Sequence, residues 1–174
     1  SRGLGDVYKR QHITYNNTIY GTHYNTLPDF GDATIVTDMS SCILSEEVDF
    51  NKFGLVYAGA QKNMGPAGVT VVVVRDDLIG NAMDITPTML NYETHAKNGS
   101  MFNTPPTYAI YICGLVYEWI KDMGGVKVMH EKNVEKAKIL YDFLDNSKMF
   151  RGTVVPKDRS LMNVPFVTDS DELN

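Results

Sequence analysis

The chain has 174 residues, a formal net charge of −5 at pH 7 and two cysteines. This length allows one domain with a sizeable core, or most of one domain and part of a second. The acidic charge and the lack of a basic run argue against a nucleic-acid-binding protein, and no segment approaches the roughly 18 consecutive apolar residues of a membrane-spanning helix.

The first informative strand signal is the β-prone run at residues 33–37, which the polar segment DMSS follows at residues 38–41. The pattern predicts a buried parallel strand with Asp38 at its carboxyl end. Ligands bind at that edge in open α/β sheets, and a buried carboxylate there can keep a pyridine nitrogen protonated. Spacing alone favours an N-cap role for Asp38 equally well.

The next predicted strand, residues 55–58, delivers Gln61 and Lys62 to the sheet edge. Lys62 lies in the segment AGAQKNMGPAG, residues 58–68, among glycines and alanines. A lysine at such a crowded, partly dry turn should lose some preference for its proton, because desolvation disfavours the ammonium. That is the condition for an amine that forms a Schiff base. The alternative, a solvated lysine on a surface turn, is the commoner setting for this residue type.

The rest of the chain is predicted as a strand, a loop, two helices and a second sheet. The β-branched run at residues 69–75 follows too closely for a helical crossover, so we expect it to run antiparallel to residues 55–58. Residues 81–103 form a long polar loop. Apolar residues recur at the spacing of amphipathic helices in residues 109–120 and 126–144. Strands of a second, smaller domain are predicted at residues 153–155 and 162–167.

Single residues in these segments also receive predictions. Cys42 and Cys113 lie among apolar residues and are expected to be reduced core thiols. We expect Trp119 in the core, His130 on an exposed helix face and Arg159 at the surface. The histidines show no metal-ligand spacing with the cysteines or with each other, so no metal site is predicted.

Four segments, in this order, resemble the phosphoserine aminotransferase family, a group of fold-type I pyridoxal phosphate enzymes. They are FGD at residues 30–32, DMSS at 38–41, AGAQKN with GPAG between 58 and 68, and NGSMFNTPPT at 98–107. The agreement runs from about Ile13 to the last residue. It implies an α/β fold, the large domain of fold-type I enzymes, with a mostly parallel sheet, one antiparallel strand and flanking helices. It also implies pyridoxal 5′-phosphate as cofactor.

The resemblance implies roles for four residues in one subunit. Lys62 would carry the cofactor as a Schiff base and move the proton during the reaction, and Asp38 would face the ring nitrogen. Thr18, within NNTIYG, and Gln61 would contact cofactor oxygens. Considered by itself, Thr18 is more often a turn residue that bonds its own backbone.

The resemblance also implies a homodimer with an active site shared across the interface. Asn103 and Thr104 would bind the cofactor phosphate of the partner subunit. Thr104 stands before two prolines, so a helix N-cap is an alternative role for it, and a helix N-terminus can itself bind an anion.

The implied reaction converts 3-phosphohydroxypyruvate and glutamate into O-phosphoserine and 2-oxoglutarate, within serine biosynthesis in the cytoplasm. A related role in pyridoxine biosynthesis acts on 4-phosphohydroxythreonine. The alternatives are another class-V transaminase or a cysteine desulfurase, which needs a reactive cysteine on a mobile loop, and a non-catalytic dimer scaffold.

Family members are longer than this chain, so we expect a fragment with little or no activity of its own. Residues 1–11, SRGLGDVYKRQ, do not match the family and are expected to lie outside the fold. Residues 12–147 would be part of the large cofactor-binding domain, and residues 148–174 would begin a truncated small domain. The substrate-binding arginines would lie outside the fragment.

Overall fold

A four-stranded sheet and two long helices dominate the computed structural model, which describes residues 10–170 and residue 172. The strands are β1 (Arg10–Thr14), β2 (Asn16–Asn17), β3 (Thr22–His23), β4 (Thr34–Asp38), β5 (Leu55–Gly59), β6 (Thr70–Val74), β7 (Phe150–Gly152) and β8 (Phe166–Thr168). The α-helices are α1 (Tyr92–Lys97), α2 (Thr107–Asp122) and α3 (Gly125–Asn146), and 3-10 turns lie at Phe50–Lys52, Asp76–Leu78, Thr88–Leu90 and Pro156–Asp158.

The main sheet has the strand order β1, β4, β5, β6. β1 and β5 both run parallel to β4, and β6 runs antiparallel to β5. The connection between β5 and β6 is too short to contain a crossover helix, which is why this pair is antiparallel. The predicted mostly parallel sheet with one antiparallel strand is confirmed.

The sheet begins earlier than the sequence predicts. Arg10 pairs with Thr34 and Gln11 pairs with Ile35, so these two residues belong to the sheet rather than to a segment outside the fold. The start of β4 offers backbone groups that need hydrogen-bond partners, and residues 10 and 11 supply them. Residues 1–9 lie outside the described residues, and the division of the chain after residue 147 stays a prediction.

The two faces of the main sheet differ in burial. Residues two apart on a strand share a face, and one face contains the buried side chains Ile13, Thr37, Val56 and Ala58. The opposite face carries His12, Asp38 and Tyr57, which are exposed or half-buried. The core of this part of the chain therefore lies on one side of the sheet.

Helix α2 packs directly on the turn that follows β5. A Cβ atom at Gly65 would lie 2.7 Å from Cys113 Sγ, so the helix approaches the backbone at a position where only glycine fits. Met64, which is 1% exposed, fills the space next to it, and the Tyr117 hydroxyl donates to its sulfur over 3.4 Å. Cys42 and Cys113 are both buried free thiols, as predicted.

The helices agree with the predicted ranges, but two details differ. Pro106 precedes the first turn of α2, so Thr104 is not its N-cap. Prolines at 105 and 106 disfavour helical backbone at the residue before each of them, which moves the helix start to Thr107. Trp119 is 51% exposed rather than buried, because α2 turns this side away from the sheet.

The predicted loop at residues 81–103 contains a 3-10 turn and the short helix α1. Asn91 caps α1 by accepting a hydrogen bond from the Glu93 amide over 3.0 Å. The predicted exposed position of His130 on α3 is also wrong. The residue is half-buried, and its Nδ1 atom is buried with no hydrogen-bond partner among the described residues.

Two further sheets have two antiparallel strands each. One pairs β2 with β3, and the other pairs β7 with β8 and packs on the end of α3. The predicted strands at 153–155 and 162–167 are displaced, because Pro156 starts a 3-10 turn and Pro165 cannot donate a hydrogen bond to a neighbouring strand. Arg159 is not a free surface charge. Its guanidinium donates two hydrogen bonds to the Asp145 carboxylate and lies 4.4 Å from the Tyr141 ring centre.

Two kinds of feature are absent from the described residues. None of their helices is long and apolar enough to cross a membrane. No group of three or more histidine, cysteine, aspartate and glutamate side chains among them is arranged to hold a metal ion.

Candidate active site

The carboxyl ends of β1, β4 and β5 lie at one edge of the sheet, because the three strands are parallel. Asp38 is the last residue of β4, and its register partners are Thr14 on β1 and Tyr57 on β5. Lys62 lies in the turn that begins where β5 ends at Gly59. The fold therefore brings the predicted amine and the predicted carboxylate to the same edge.

Asp38 is held in place by the segment that follows it. Its Oδ1 atom accepts a hydrogen bond from the Ser40 amide over 2.7 Å, while the Ser40 hydroxyl accepts one from the Gly59 amide over 3.0 Å. Ser40 thereby connects the end of β4 to the end of β5. Asp38 closes this turn and is not the N-cap of a described helix. Its carboxylate has a second oxygen that the turn does not occupy.

The turn after β5 leaves Gln61 and Lys62 exposed and directs Asn63 and Met64 inward. Met64 and Gly65 amides both donate to the Ala60 carbonyl, over 3.0 and 2.9 Å, which closes the turn. Asn63 is directed inward and donates to the Ile43 carbonyl over 2.8 Å. Because the inward side chains anchor the turn, Lys62 is left on the outer side.

Lys62 Nζ donates a hydrogen bond to Thr18 Oγ1 over 2.9 Å. Thr18 lies in the tight turn between β2 and β3, so two segments distant in sequence meet at the amine. Both side chains are exposed, and the expected partly dry setting of Lys62 is therefore wrong. The crowded small residues, Ala58 and Ala60, lie beneath the turn and not around the amine.

Gln61 lies on the same face of the sheet as Asp38. Gly59 would direct a side chain to the face of Tyr57 and Asp38, since residues 57 and 59 share a face. A Cβ atom there would lie 2.5 Å from Gln61 Oε1 and 3.0 Å from its Nε2. The amide of Gln61 therefore occupies the space that the missing Gly59 side chain leaves.

The structure does not bring Asn103 and Thr104 to this edge. Both residues are exposed, and the Asn103 amide donates to the adjacent Thr104 carbonyl over 3.3 Å. Their predicted role concerns a partner subunit, so it stays a prediction.

Tyr57 and His12 belong to the site although the sequence does not single them out. His12 Nε2 lies 3.0 Å from Tyr57 Oη, and the two rings stack with centres 6.0 Å apart. Burial raises the pKa of the Tyr57 hydroxyl, and the charge of the neighbouring Asp38 raises it further. The period-two alternation of strands was the available signal, because it places both rings on the face of Asp38.

A buried polar cluster fixes the hairpin that carries Thr18. The Asn16 amide donates to Ser41 Oγ over 2.8 Å and to Asn163 Oδ1 over 2.7 Å, and Asn16 Oδ1 accepts from Ser160 Oγ over 2.5 Å. Ser41 thus supports Asn16 rather than Asp38. Gly21 packs so closely on Pro165 that a Cβ atom would overlap the proline ring.

Comparisons with known proteins relate these residues to one family. Residues 2–172 match the family model for aminotransferase class-V. The matched range includes residues 2–11, whereas the sequence segments place the start of the resemblance near Ile13. The phosphoserine aminotransferase of Histophilus somni (strain 129Pt) is 56% identical over 171 residues, which cover 98% of this chain and 48% of that protein.

Solved structures give the same relationship. A structure that concerns radiation damage of the Schiff base in phosphoserine aminotransferase has a TM-score of 0.90 and 51% identity, covering 94% of this chain and 46% of that one. The phosphoserine aminotransferase from Trichomonas vaginalis with bound PLP has a TM-score of 0.87 and 37% identity, covering 92% and 47%. The chain spans about half the length of the curated relatives it matches.

Proposed function

The chain belongs to the class-V aminotransferase family, and from this membership we propose that it is part of a phosphoserine aminotransferase that uses pyridoxal 5′-phosphate. The observation that carries the proposal is the common position of Lys62 and Asp38 at the carboxyl edge of one parallel sheet. The hydrogen bond from Lys62 to Thr18 supports it, because it gives the amine a defined direction.

The chemistry of the donor set fits this cofactor. A primary amine suits its aldehyde, a carboxylate suits a protonated ring nitrogen, and the Thr18 hydroxyl and Gln61 amide suit its oxygen atoms. When bound, pyridoxal phosphate supplies an electron sink that stabilises negative charge on the substrate carbon. We assign Lys62 and Asp38 as catalytic residues and Thr18 and Gln61 as further cofactor contacts.

Lys62 has two proposed tasks, both at its Nζ atom. It would hold the cofactor aldehyde covalently, and as a free amine it would take a proton from the substrate carbon and return it to a carbon of the cofactor. Positioned proton transfer of this kind contributes about 10²–10⁴-fold to a rate. Thr18 orients the amine by accepting a hydrogen bond from it. The negative charge of Asp38 would favour the protonated form of the ring nitrogen.

The proposed substrates are glutamate and 3-phosphohydroxypyruvate, with O-phosphoserine and 2-oxoglutarate as products in serine biosynthesis in the cytoplasm. The related reaction in pyridoxine biosynthesis would use the same residues. Both substrates are anions and need cationic hydrogen-bond donors. Arg75 and Arg159 are engaged by Asp77 and Asp145. From the family resemblance we propose that the substrate-binding arginines lie outside this chain.

We also propose that the protein is a homodimer in which Asn103 and Thr104 serve the phosphate site of the partner subunit. The exposed face of α2 supports this proposal. It carries a stripe of large apolar side chains at helical spacing: Tyr108, Tyr111, Leu115 and Trp119, exposed by 74%, 61%, 44% and 51%. A stripe of this size is typical of a surface that another protein covers.

A cysteine desulfurase is disfavoured by the state of the thiols. Cys42 and Cys113 are each 3% exposed. Burial raises the pKa of Cys42 to about 12, and the charges of Glu46 and Asp38 add to this effect. A thiol with so high a pKa is a poor nucleophile at neutral pH, since the thiolate is the reactive form.

Trapping the cofactor on the protein tests the proposed function. The chain is incubated with pyridoxal phosphate, reduced with borohydride and digested, and the modified lysine is identified by mass spectrometry. We expect the label on Lys62, its loss in Lys62→Ala and its retention in Lys52→Ala, a matched exposed lysine. A label that is absent, or spread evenly over exposed lysines, contradicts the proposal.

A further inference from the structure

Three side chains form a line across the half-exposed face of the main sheet. Asp38 and Tyr57 are register partners on β4 and β5, and His12 lies on β1. Since β4 lies between β1 and β5, the contact between His12 Nε2 and Tyr57 Oη at 3.0 Å shows that the two side chains meet over β4. They meet on the face that carries Asp38.

The direction of the hydrogen bonds follows from the chemistry of the three groups. An ionised carboxylate can only accept, and a tyrosine hydroxyl has a single hydrogen to donate. If that hydrogen is directed at Asp38, the hydroxyl oxygen must accept from His12. His12 must then carry a hydrogen on Nε2, which selects one tautomer of the neutral ring.

We propose that Tyr57 is a positioning residue for Asp38, and that His12 keeps the Tyr57 hydroxyl directed at the carboxylate by donating to it from Nε2. This inference rests on the proposed role of Asp38 toward the ring nitrogen. The Ser40 amide holds Oδ1 from one side. In this proposal the Tyr57 hydroxyl, on the register partner of Asp38, directs its hydrogen at the same carboxylate as a second donor. Two donors fix the orientation of the group better than one.

The surroundings of Tyr57 agree with this direction of donation. The Asp38 charge and the nearby Tyr92 of α1 both raise the pKa of the Tyr57 hydroxyl, after the larger effect of burial. A hydroxyl beside an anion keeps its proton and acts as a donor. His12 is the neighbour that approaches the oxygen from β1.

The network can be tested without cofactor by NMR on the chain. Long-range ¹⁵N spectra report the tautomer of His12, and the ¹³Cζ signal of Tyr57 reports its ionisation. We expect the Nε2–H tautomer, and we expect the pKa of Tyr57 to fall toward its ordinary value in Asp38→Asn. In Asp76→Asn, a substitution of an exposed acid on another turn, the Tyr57 titration should not move. A hydrogen on Nδ1 of His12, or a Tyr57 titration that Asp38→Asn leaves unchanged, overturns the inference.

The role toward the cofactor is tested by binding. The dissociation constant of pyridoxal phosphate should rise about tenfold in Tyr57→Phe, which loses one hydrogen bond to a charged group. Asp76→Asn, at an exposed position on another turn, should not change it. His12→Phe should weaken the binding of pyridoxal phosphate as Tyr57→Phe does. His12→Gln should bind it as tightly as the unsubstituted chain, because a glutamine amide can still donate to the Tyr57 hydroxyl.

The outcomes separate this inference from the proposed function. Equal dissociation constants for the unsubstituted chain and Tyr57→Phe overturn the inference and leave the assignment of Lys62 intact. If the unsubstituted chain binds no pyridoxal phosphate, the proposed function fails and the role toward the cofactor fails with it. The NMR measurements then still decide whether the three side chains are linked.

Discussion

The amine of Lys62 and the hydroxyl of Thr18 are joined by a hydrogen bond of 2.9 Å between residues that are 44 positions apart in sequence. Removing the hydroxyl in Thr18→Val should weaken the binding of pyridoxal phosphate about fivefold, since one hydrogen bond is worth about 1 kcal/mol. Thr18→Ser keeps the hydroxyl and should bind nearly as tightly as the unsubstituted chain. Absorbance titration measures both constants, and equal affinities for the valine and serine variants would refute the contact.

The close approach of α2 to Gly65 predicts a steric effect on stability. Gly65→Ala places a Cβ atom against Cys113 Sγ, and overpacking of this kind lowers the free energy of unfolding by about 1–3 kcal/mol. Gly114→Ala on the same helix meets no atom within 4 Å and should raise that free energy, by up to about 1 kcal/mol.

Urea unfolding followed by circular dichroism measures both effects of these glycine substitutions. Adding Cys113→Ala to Gly65→Ala should recover part of the lost stability, because it removes the clashing sulfur. Strictly additive losses in the double variant would show that the two positions do not interact.

Asn16 should be one of the most sensitive polar positions in the chain. Its side chain is 2% exposed and bonds to Ser41, Ser160 and Asn163. Asn16→Ala takes one hydrogen-bond partner from each of these three side chains, and Ser41 and Ser160 are buried. The loss should lower the free energy of unfolding by about 3 kcal/mol. Asn81→Ala removes an exposed amide that bonds the Asp77 carbonyl and should change it by less than about 0.5 kcal/mol. Similar losses in the two variants would contradict the buried cluster.

The Arg159–Asp145 pair predicts a dependence of stability on acid pH. A hydrogen bond from Arg159 holds the pKa of the Asp145 carboxyl below its ordinary value. A lowered folded-state pKa stabilises the fold above the unfolded-state pKa, and this contribution disappears as the pH falls through the folded-state pKa. The free energy of unfolding of Asp145→Asn should therefore lie furthest below that of the unsubstituted chain near neutral pH, and the two values should be closest at about pH 2.

Urea midpoints measured across this pH range test the acid dependence. Asp76→Asn, at an exposed position, serves as the control. The role of the pair would be refuted if the difference in urea midpoint between Asp145→Asn and the unsubstituted chain stayed constant from neutral to strongly acidic pH.

The buried thiols predict slow chemical modification. Because burial raises the pKa of Cys42 to about 12, and Cys113 is equally inaccessible, iodoacetamide should label neither residue in the folded chain at about pH 8. Both should react within the same period in concentrated urea. Rapid labelling of the native chain, located by peptide mass spectrometry, would show that the core around these thiols opens.

Local patterns in the sequence predicted most of the fold. The β-branched runs before Asp38 and on both sides of the Lys62 turn have the composition of buried strands, and the short connection to β6 fixed its antiparallel direction. The helices at α2 and α3 follow from their three- and four-residue spacing. These features depend mainly on residues that are close together in the sequence, so the sequence pattern predicts them.

The remaining errors concern contacts between distant segments. The exposure of Trp119 and the pairing of Arg159 with Asp145 depend on how other elements pack. Neither can be predicted from the neighbouring residues in the sequence. The same reason explains why His12 and Tyr57 were not expected in the site. Their link depends on the register of β1, β4 and β5, and residues 12–14 alone do not specify that register.

The buried Asn16 cluster has a consequence for how the chain opens. The hairpin that carries Thr18 is tied to residues 160–165 through Asn16 and through the close packing of Gly21 on Pro165. Its backbone amides should therefore exchange with deuterium at the same rate as those around Ser160, as one cooperative unit. Opening of residues 160–165 would then also free Thr18, the hydrogen-bond partner of the Lys62 amine. These residues lie far from Thr18 along the chain.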